Sequence, residues 1–294
     1  MDYPEFREEL LKAVKEMLPD EITAKAGVVE KLNGTLRHSI SIAKQGTNFS
    51  QNIYLEPFYM QFCQGGDLER LAGEVISCFD EEMEELPEIC TRLDSYSNAK
   101  PHIFARLIQR AANEKLLLDV PHRVFMDFAM VPYMEIKGPN MFKGSVLLRN
   151  NYLDMWQVSE EEVLDWAILQ SRNKGLLFQS MRDMFPAETE QAENGIVFSQ
   201  ELYVMTNQEK FFGSNMIYFE ENLEHIACQL GEDFYLLPSS VHEWIIIAES
   251  MVNDTSYLLE MVRDINDTIV LNEEILGYKV YKYERCSQKI QIFG

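Results

Sequence analysis

Cysteine is scarce in this chain: five in 294 residues, Cys63, Cys78, Cys90, Cys228 and Cys286, none in a CxxC pair. An odd, scattered set excludes a disulfide framework and a thiolate zinc site of the usual spacing, and suits free thiols in a reducing cytoplasm. Positive charge is short as well. Against 48 Asp and Glu stand only 26 Lys and Arg, a formal net charge of −22. Such a chain meets a phosphate backbone or an anionic bilayer with repulsion, and it has no Lys/Arg cluster to release counterions. Neither nucleic acid nor membrane is expected as a partner. Long apolar runs are missing: no stretch approaches the roughly 20 residues that span a bilayer, and the opening MDYPEFREELLKAVKEML is charged throughout, unlike a secretory signal. The expected location is the cytoplasm.

What the chain has is enough apolar surface to fold. Hydrophobic residues make up 46% and charged residues 25%, the balance of an ordinary packed protein and not of a disordered one. The length suits one large domain or two modest ones.

The first segment reads as a helix, with Phe6, Leu10, Val14, Met17 and Leu18 on one stripe before Pro19 ends it. In AGVVEKLNGTLRHSISIA, Asn33-Gly34 marks a hairpin, because a type I′ turn needs positive φ at both central residues. Leu36, His38, Ile40 and Ile42 then share one strand face. Asp67 is placed to cap a helix carrying Leu68, Leu71, Ala72, Val75, Ile76 and Phe79. An acidic run follows within 80–88, read as a solvated helix end with cation collection as the functional alternative. SYSNAKP at 95–101 reads as a boundary, giving a unit at 1–98 and a second at 99–294.

Beyond the boundary, Ile103, Phe104, Leu107, Ile108 and Ala111 outline an amphipathic helix. VFMDFAMVPYMEI and KGSVLLRN read as two strands joined by a turn at Gly138-Pro139-Asn140. Ser159 opens a helix whose first turn holds Glu160, Glu161 and Glu162, matched to the helix dipole. Residues 186–195 read as a polar loop. From 200 to 294 the pattern is β-β-α-β-β-α-β-β: strands at ELYVMTN and GSNMIYF, a helix capped by Gly231, strands DFYLLP and EWIIIAE around a PSSVH turn, a helix through Leu258 and Val262, and a last hairpin. The fold class is α+β, with mixed or antiparallel sheets, packed helices and two subdomains.

Phosphate-cradling GxxxxGK[ST] and GxGxxG loops, HExxH and GxSxG are all absent. The densest chemistry is PSSVHE at 238–243, where Ser239, Ser240, His242 and Glu243 fall within a few residues. A hydrolase would use His242 as base to a serine nucleophile. Neighbours on an extended chain point to opposite faces, however, and serines in a turn commonly bond loose backbone groups. The four residues are therefore binding candidates, with no catalytic residue, metal ligand or cofactor assigned. His38, on the apolar hairpin face, reads as a core or interface histidine.

The runs NIYLEPFYMQF (52–62), LYVMTN (202–207) and GEDFYLLPSSVHEWIII (231–247) resemble an uncharacterised bacterial family, common in gut anaerobes and known only as a domain of unknown function. Its members often carry a Gly-Ala-Ala-like stretch where this chain has Gly213, Ser214 and Asn215. The resemblance implies a cytoplasmic bacterial protein and brings no activity, cofactor or catalytic residue. It makes Ser239, Ser240, His242 and Glu243 part of a family signature. The function expected from the whole is a soluble, non-enzymatic interaction or regulatory protein with an unidentified protein partner, the alternative being a hydrolase centred on PSSVHE.

Overall fold

A computed structural model describes residues 1–46, 50–79, 92–137, 143–184 and 202–294. The chain divides into two compact units, Met1–Thr91 and Arg92–Gly294. The fold is α+β, and each strand pairing among the described residues is antiparallel.

The first unit packs helices on one face of a three-stranded sheet. Helix α1 (Tyr3–Met17) starts where the Asp2 carboxylate accepts the Glu5 amide, and it stops before Pro19. Strands β1 (Ile22–Glu30), β2 (Leu36–Lys44) and β3 (Gln51–Tyr54) follow in that spatial order. Asn33 and Gly34 both take positive φ, +59° and +66°, and the Thr35 amide donates to Leu32 O, which closes the expected turn. Helix α2 (Glu56–Cys63) leads to α3 (Leu68–Ser77), capped by Asp67 as its side chain accepts from the Arg70 amide. Phe6, Leu10 and Val14 of α1 meet Ile40 and Ile42 of β2 and Leu71, Ala72 and Val75 of α3 in one core. Each of the larger of these side chains contributes about 1.5–3 kcal/mol by leaving water. The acidic run at 80–88 lies outside the described residues.

In the second unit, residues 95–101 form α4 (Tyr96–Ala99) and a 3₁₀ turn that lead straight into β4 (Ile103–Gln109). The amphipathic helix expected over Ile103–Ala111 is thus a strand. Both of its faces are buried, from Ile103 and Leu107 to Arg106 and Ile108, and a strand covered on both sides presents apolar residues at helical spacing as readily as at alternate positions. After α5 (Glu114–Leu117) come β5 (Arg123–Phe125), β6 (Phe128–Lys137) and β7 (Lys143–Leu147). VFMDFAMVPYMEI is therefore a hairpin, not one strand, because Met126 takes φ +52° and reverses the chain between Phe125 and Phe128. The turn expected at 138–140 and the loop expected at 186–195 lie outside the described residues.

Strand β6 contains Pro132, which has no amide to donate. It stands opposite Ala105 of β4, and its carbonyl accepts the Leu148 amide. Ala105 turns its own polar groups elsewhere: its amide donates to Ser171 Oγ at 2.8 Å, and its carbonyl accepts from Ser171 Oγ and Asn215 Nδ2. The outer edge of β4 is thereby covered.

Helices α6 (Asn150–Trp156) and α7 (Glu160–Arg172) precede β8 (Leu176–Ser180) and the short α8 (Met181–Met184). Ser159 caps α7, accepting from the Glu162 amide at 3.2 Å. Strand β9 (Tyr203–Asn207), α9 (Glu220–Leu230), β10 (Phe234–Ser240), β11 (Glu243–Ala248), α10 (Ser256–Thr268), β12 (Tyr281–Glu284) and β13 (Lys289–Ile292) complete the unit. Its larger sheet runs β13-β12-β10-β11-β9-β8, which places the apolar β11 inside, as its continuous Ile run predicts. Leu258 and Val262 of α10 pack on Tyr235, Leu237, Ile245 and Ile247.

GSNMIYF is not a strand. Gly213–Tyr218 is a 3₁₀ helix with Gly213, Ser214 and Asn215 buried. A Cβ on Gly213 would overlap Thr206 Oγ1 and the Asn207 amide, so the chain approaches β9 too closely for any side chain there. The order from β9 onward is therefore strand, 3₁₀ turn, helix, hairpin, helix, hairpin.

Candidate functional site

The PSSVHE segment closes the β10–β11 hairpin. Pro238 stands opposite Trp244 and Ser240 opposite Glu243, and the register shifts between Pro238 and Ser240, leaving Ser239 as the extra residue of a bulge. PSS thus belongs to strand β10, and the turn itself is only Val241-His242. Ser239 and Ser240 are buried, and His242 and Glu243 are partly buried.

The turn is tied down at almost every polar atom. Ser240 Oγ accepts the amide of His242 at 3.1 Å, a local turn bond. The Val241 amide donates to Glu274 O at 2.8 Å, and Val241 O accepts Ser214 Oγ at 2.7 Å. His242 O accepts Thr206 Oγ1 at 2.7 Å. On the ring, His242 Nδ1 accepts the Phe212 amide at 3.1 Å. The ring's Nε2 lies 3.6 Å from Glu274 Oε1. The Phe212 ring stacks on the imidazole with centroids 5.1 Å apart and planes 10° from parallel.

The T-N pair of β9 serves the same joint. Asn207 Oδ1 accepts the amides of Glu209 and Phe211, and its Nδ2 donates to Phe211 O. These bonds shape the loop in which Lys210 and Phe212 take left-handed φ of +53° and +52°. Trp244, fully buried, donates from Nε1 to Ser214 O at 2.8 Å. The signature residues thus form one clasp between β9, the 3₁₀ helix and the β10–β11 turn.

The bonds of this turn lend a hydrolase site no support. A serine nucleophile needs its hydroxyl against an imidazole nitrogen, whereas Ser240 Oγ bonds a main-chain amide and Nδ1 of His242 is held by Phe212. Glu243 stays half-buried, and burial pushes its carboxyl above the usual carboxylate range, with His242 and Lys210 pulling it back. Two clefts of this unit, about 480 and 460 Å³, are lined by other residues. Among the described residues, no group of three or more His, Cys, Asp or Glu side chains is placed to hold a metal ion.

Beside the clasp lies a buried polar cluster that sequence reading missed. Lys174 Nζ reaches Glu135 Oε1 at 2.7 Å and Glu209 Oε2 at 3.0 Å, with Lys174 and Glu135 side chains only 5% and 2% exposed. The same ammonium donates to Tyr133 OH at 3.3 Å and sits 4.0 Å from the centroid of the Phe104 ring. Burial first, then Glu135, pushes the Tyr133 phenol far above its ordinary value. Arg106 lies over the Phe212 ring at 4.8 Å, and among the described residues its Nε has no hydrogen-bond partner. Burial pulls the Arg106 guanidinium down to about 10. Within the cluster Lys174 and Glu135 are matched to each other, so the buried charges compensate and tie their elements together. The one sequence signal was a charge inside an apolar run, Arg106 and Glu135 each flanked by buried neighbours.

Elsewhere, the main-chain amide of His38 in the first unit donates to Glu56 Oε1 at 2.9 Å, and its partly exposed ring packs edge-on against Tyr3. His225 is exposed on α9.

Fold and site together define an antiparallel α+β protein whose signature residues build a structural joint. The model of the family of unknown function DUF5688 matches residues 3–285, and the chain belongs to that family. No curated protein and no solved structure matches it. The family carries no assigned function, and no helix among the described residues is long and apolar enough to cross a membrane.

Proposed function

We propose that this protein acts by binding another protein, not by catalysis, and that it does so in the bacterial cytoplasm. The observation that carries the reading is the use made of the signature turn: Ser240 Oγ and His242 Nδ1, groups a hydrolase would need, each accept a main-chain amide. In this reading Ser239 and Ser240 hold the turn, while the partly exposed His242 and Glu243, beside Glu274, form an acidic rim that the partner contacts. The formal charge of −22 favours a partner with a basic surface and disfavours nucleic acid and anionic membrane.

Capture with the tagged full chain tests it. The expected result is one defined, basic protein whose retention falls with rising salt and drops at least tenfold for Glu243→Lys with the folded circular-dichroism spectrum retained. Recovery of chaperones alone, or retention indifferent to Glu243→Lys, overturns the proposal.

A further inference from the structure

The cleft of about 460 Å³ in the second unit shares no lining residue with the signature turn and has a chemistry of its own. It is built where Arg110 follows the end of β4, the β5–β6 hairpin turns at Met126-Asp127, and residues 276–281 cross. The Arg110 amide donates to Asp127 O, and Asn266, fully buried, donates to Gly277 O at 2.7 Å, so two walls are fixed by main-chain anchors. The Phe128 and Tyr281 rings, both buried, give an apolar floor, and the Tyr278 ring stands half-open at the rim.

Four charged groups face this space. Asp127 Oδ2 is bonded by Lys279 Nζ at 2.6 Å and by Tyr281 OH at 3.3 Å. Lys279 is half exposed, so that pair is weak and open to exchange. Arg110 and Glu114, opposite in sign and lining the same cleft, form no ion pair with each other or with any other described residue. The uncommitted charges are therefore one guanidinium and one carboxylate, set over an apolar floor. A phosphate-bearing ligand would meet the Asp127 and Glu114 carboxylates with a single free cation, and a bare cation would meet Arg110 and Lys279. A molecule carrying both signs fits each of them.

We propose that this cleft binds a small zwitterion, a free amino acid with an apolar side chain, with its carboxylate on Arg110, its ammonium between Glu114 and Asp127, and its side chain against Tyr278. A planar guanidinium grips a carboxylate through two parallel bonds, and the volume falls in the range of small-molecule sites, about 300–1,000 Å³. None of the cleft's lining residues belongs to the proposed docking rim of His242, Glu243 and Glu274, so each reading is tested by its own variants.

The test is amide chemical-shift mapping on the full chain with the standard L-amino acids at millimolar concentration, first pooled and then singly. The expected result is saturable shifts at Gly277, Tyr278 and Arg110 with at least one apolar amino acid, phenylalanine being the first choice. Phenylpropionate and phenethylamine, each lacking one charge, should bind at least tenfold more weakly. Arg110→Ala and Glu114→Gln, both exposed and harmless to folding, should each weaken the amino acid at least tenfold, and Glu114→Gln should leave phenylpropionate unchanged. Absence of saturable shifts in the cleft, or binding that ignores Arg110→Ala, or either truncated analogue binding as tightly as the amino acid overturns the proposal.

Discussion

Gly213 shows how a single position decides the shape of the signature region. Its backbone runs so close to β9 that a methyl would overlap Thr206 Oγ1 and the Asn207 amide and lie 2.9 Å from His242 O. Gly213→Ala should therefore destabilise the protein by at least the ~1–3 kcal/mol typical of overpacking, read from the urea midpoint at unchanged m-value. A neutral substitution would mean that the 3₁₀ helix sits further from β9. Glu243 makes the opposite prediction. Burial raises its carboxyl above the ordinary range, so the unfolded chain gives up this proton first. The favourable state is protonated, and stability is lost as pH rises through the folded pKa. Glu243→Gln should raise the melting temperature at neutral pH, and the gain should vanish below about pH 4. A gain independent of pH would exclude the desolvation account.

At the scale of elements, β4 is held at an edge by side chains in place of a neighbouring strand. Ser171 of α7 both accepts the Ala105 amide and donates to the Ala105 carbonyl. Ser171→Ala leaves a buried amide without its partner and should cost about 1–3 kcal/mol, with faster hydrogen exchange at Ala105 as the local check; unchanged exchange there would show the contact to be idle. The same strand explains where the sequence misleads. Long amphipathic helices with caps, such as α1, α7 and α9, are legible because periodicity, cap and stop signal agree, and so are the Asn33-Gly34 hairpin and the interior β11. Ile103–Gln109 fits a helical stripe because both faces of β4 are covered. GSNMIYF looks like a strand because nothing in its own residues reports the approach of β9 to Gly213. The turn residues Ser240 and His242 could be found as a cluster in the sequence, but their partners Phe212, Thr206, Ser214 and Glu274 come from separate segments. The Arg106–Tyr133–Glu135–Lys174 cluster is assembled from distant stretches and leaves only isolated charges as a local trace.

Across the whole molecule, buried and partly buried phenols set the alkaline limit. Tyr3 and Tyr96 are raised to about 12, chiefly by burial, and Tyr133 and Tyr281 are driven higher still. Their stabilising contribution is complete below the ordinary tyrosine value, about pH 10, and is lost as pH rises through the folded values, because the unfolded chain ionises first. Arg106 acts the other way, since its folded value of about 10 relieves the buried charge as pH rises, but it is one cation against four phenols. The urea midpoint should fall steadily above about pH 10, and Tyr133→Phe should make that fall shallower. A midpoint flat to higher pH would contradict the burial of these rings.

Reaction of the purified full chain with a fluorophosphonate probe, read by intact mass and peptide mapping, tests most directly whether the PSSVHE turn is a joint or a reactive centre. Because Ser240 Oγ accepts the His242 amide and His242 Nδ1 accepts the Phe212 amide, the mass should stay unchanged. An adduct on Ser239 or Ser240 that disappears in His242→Ala would contradict the account.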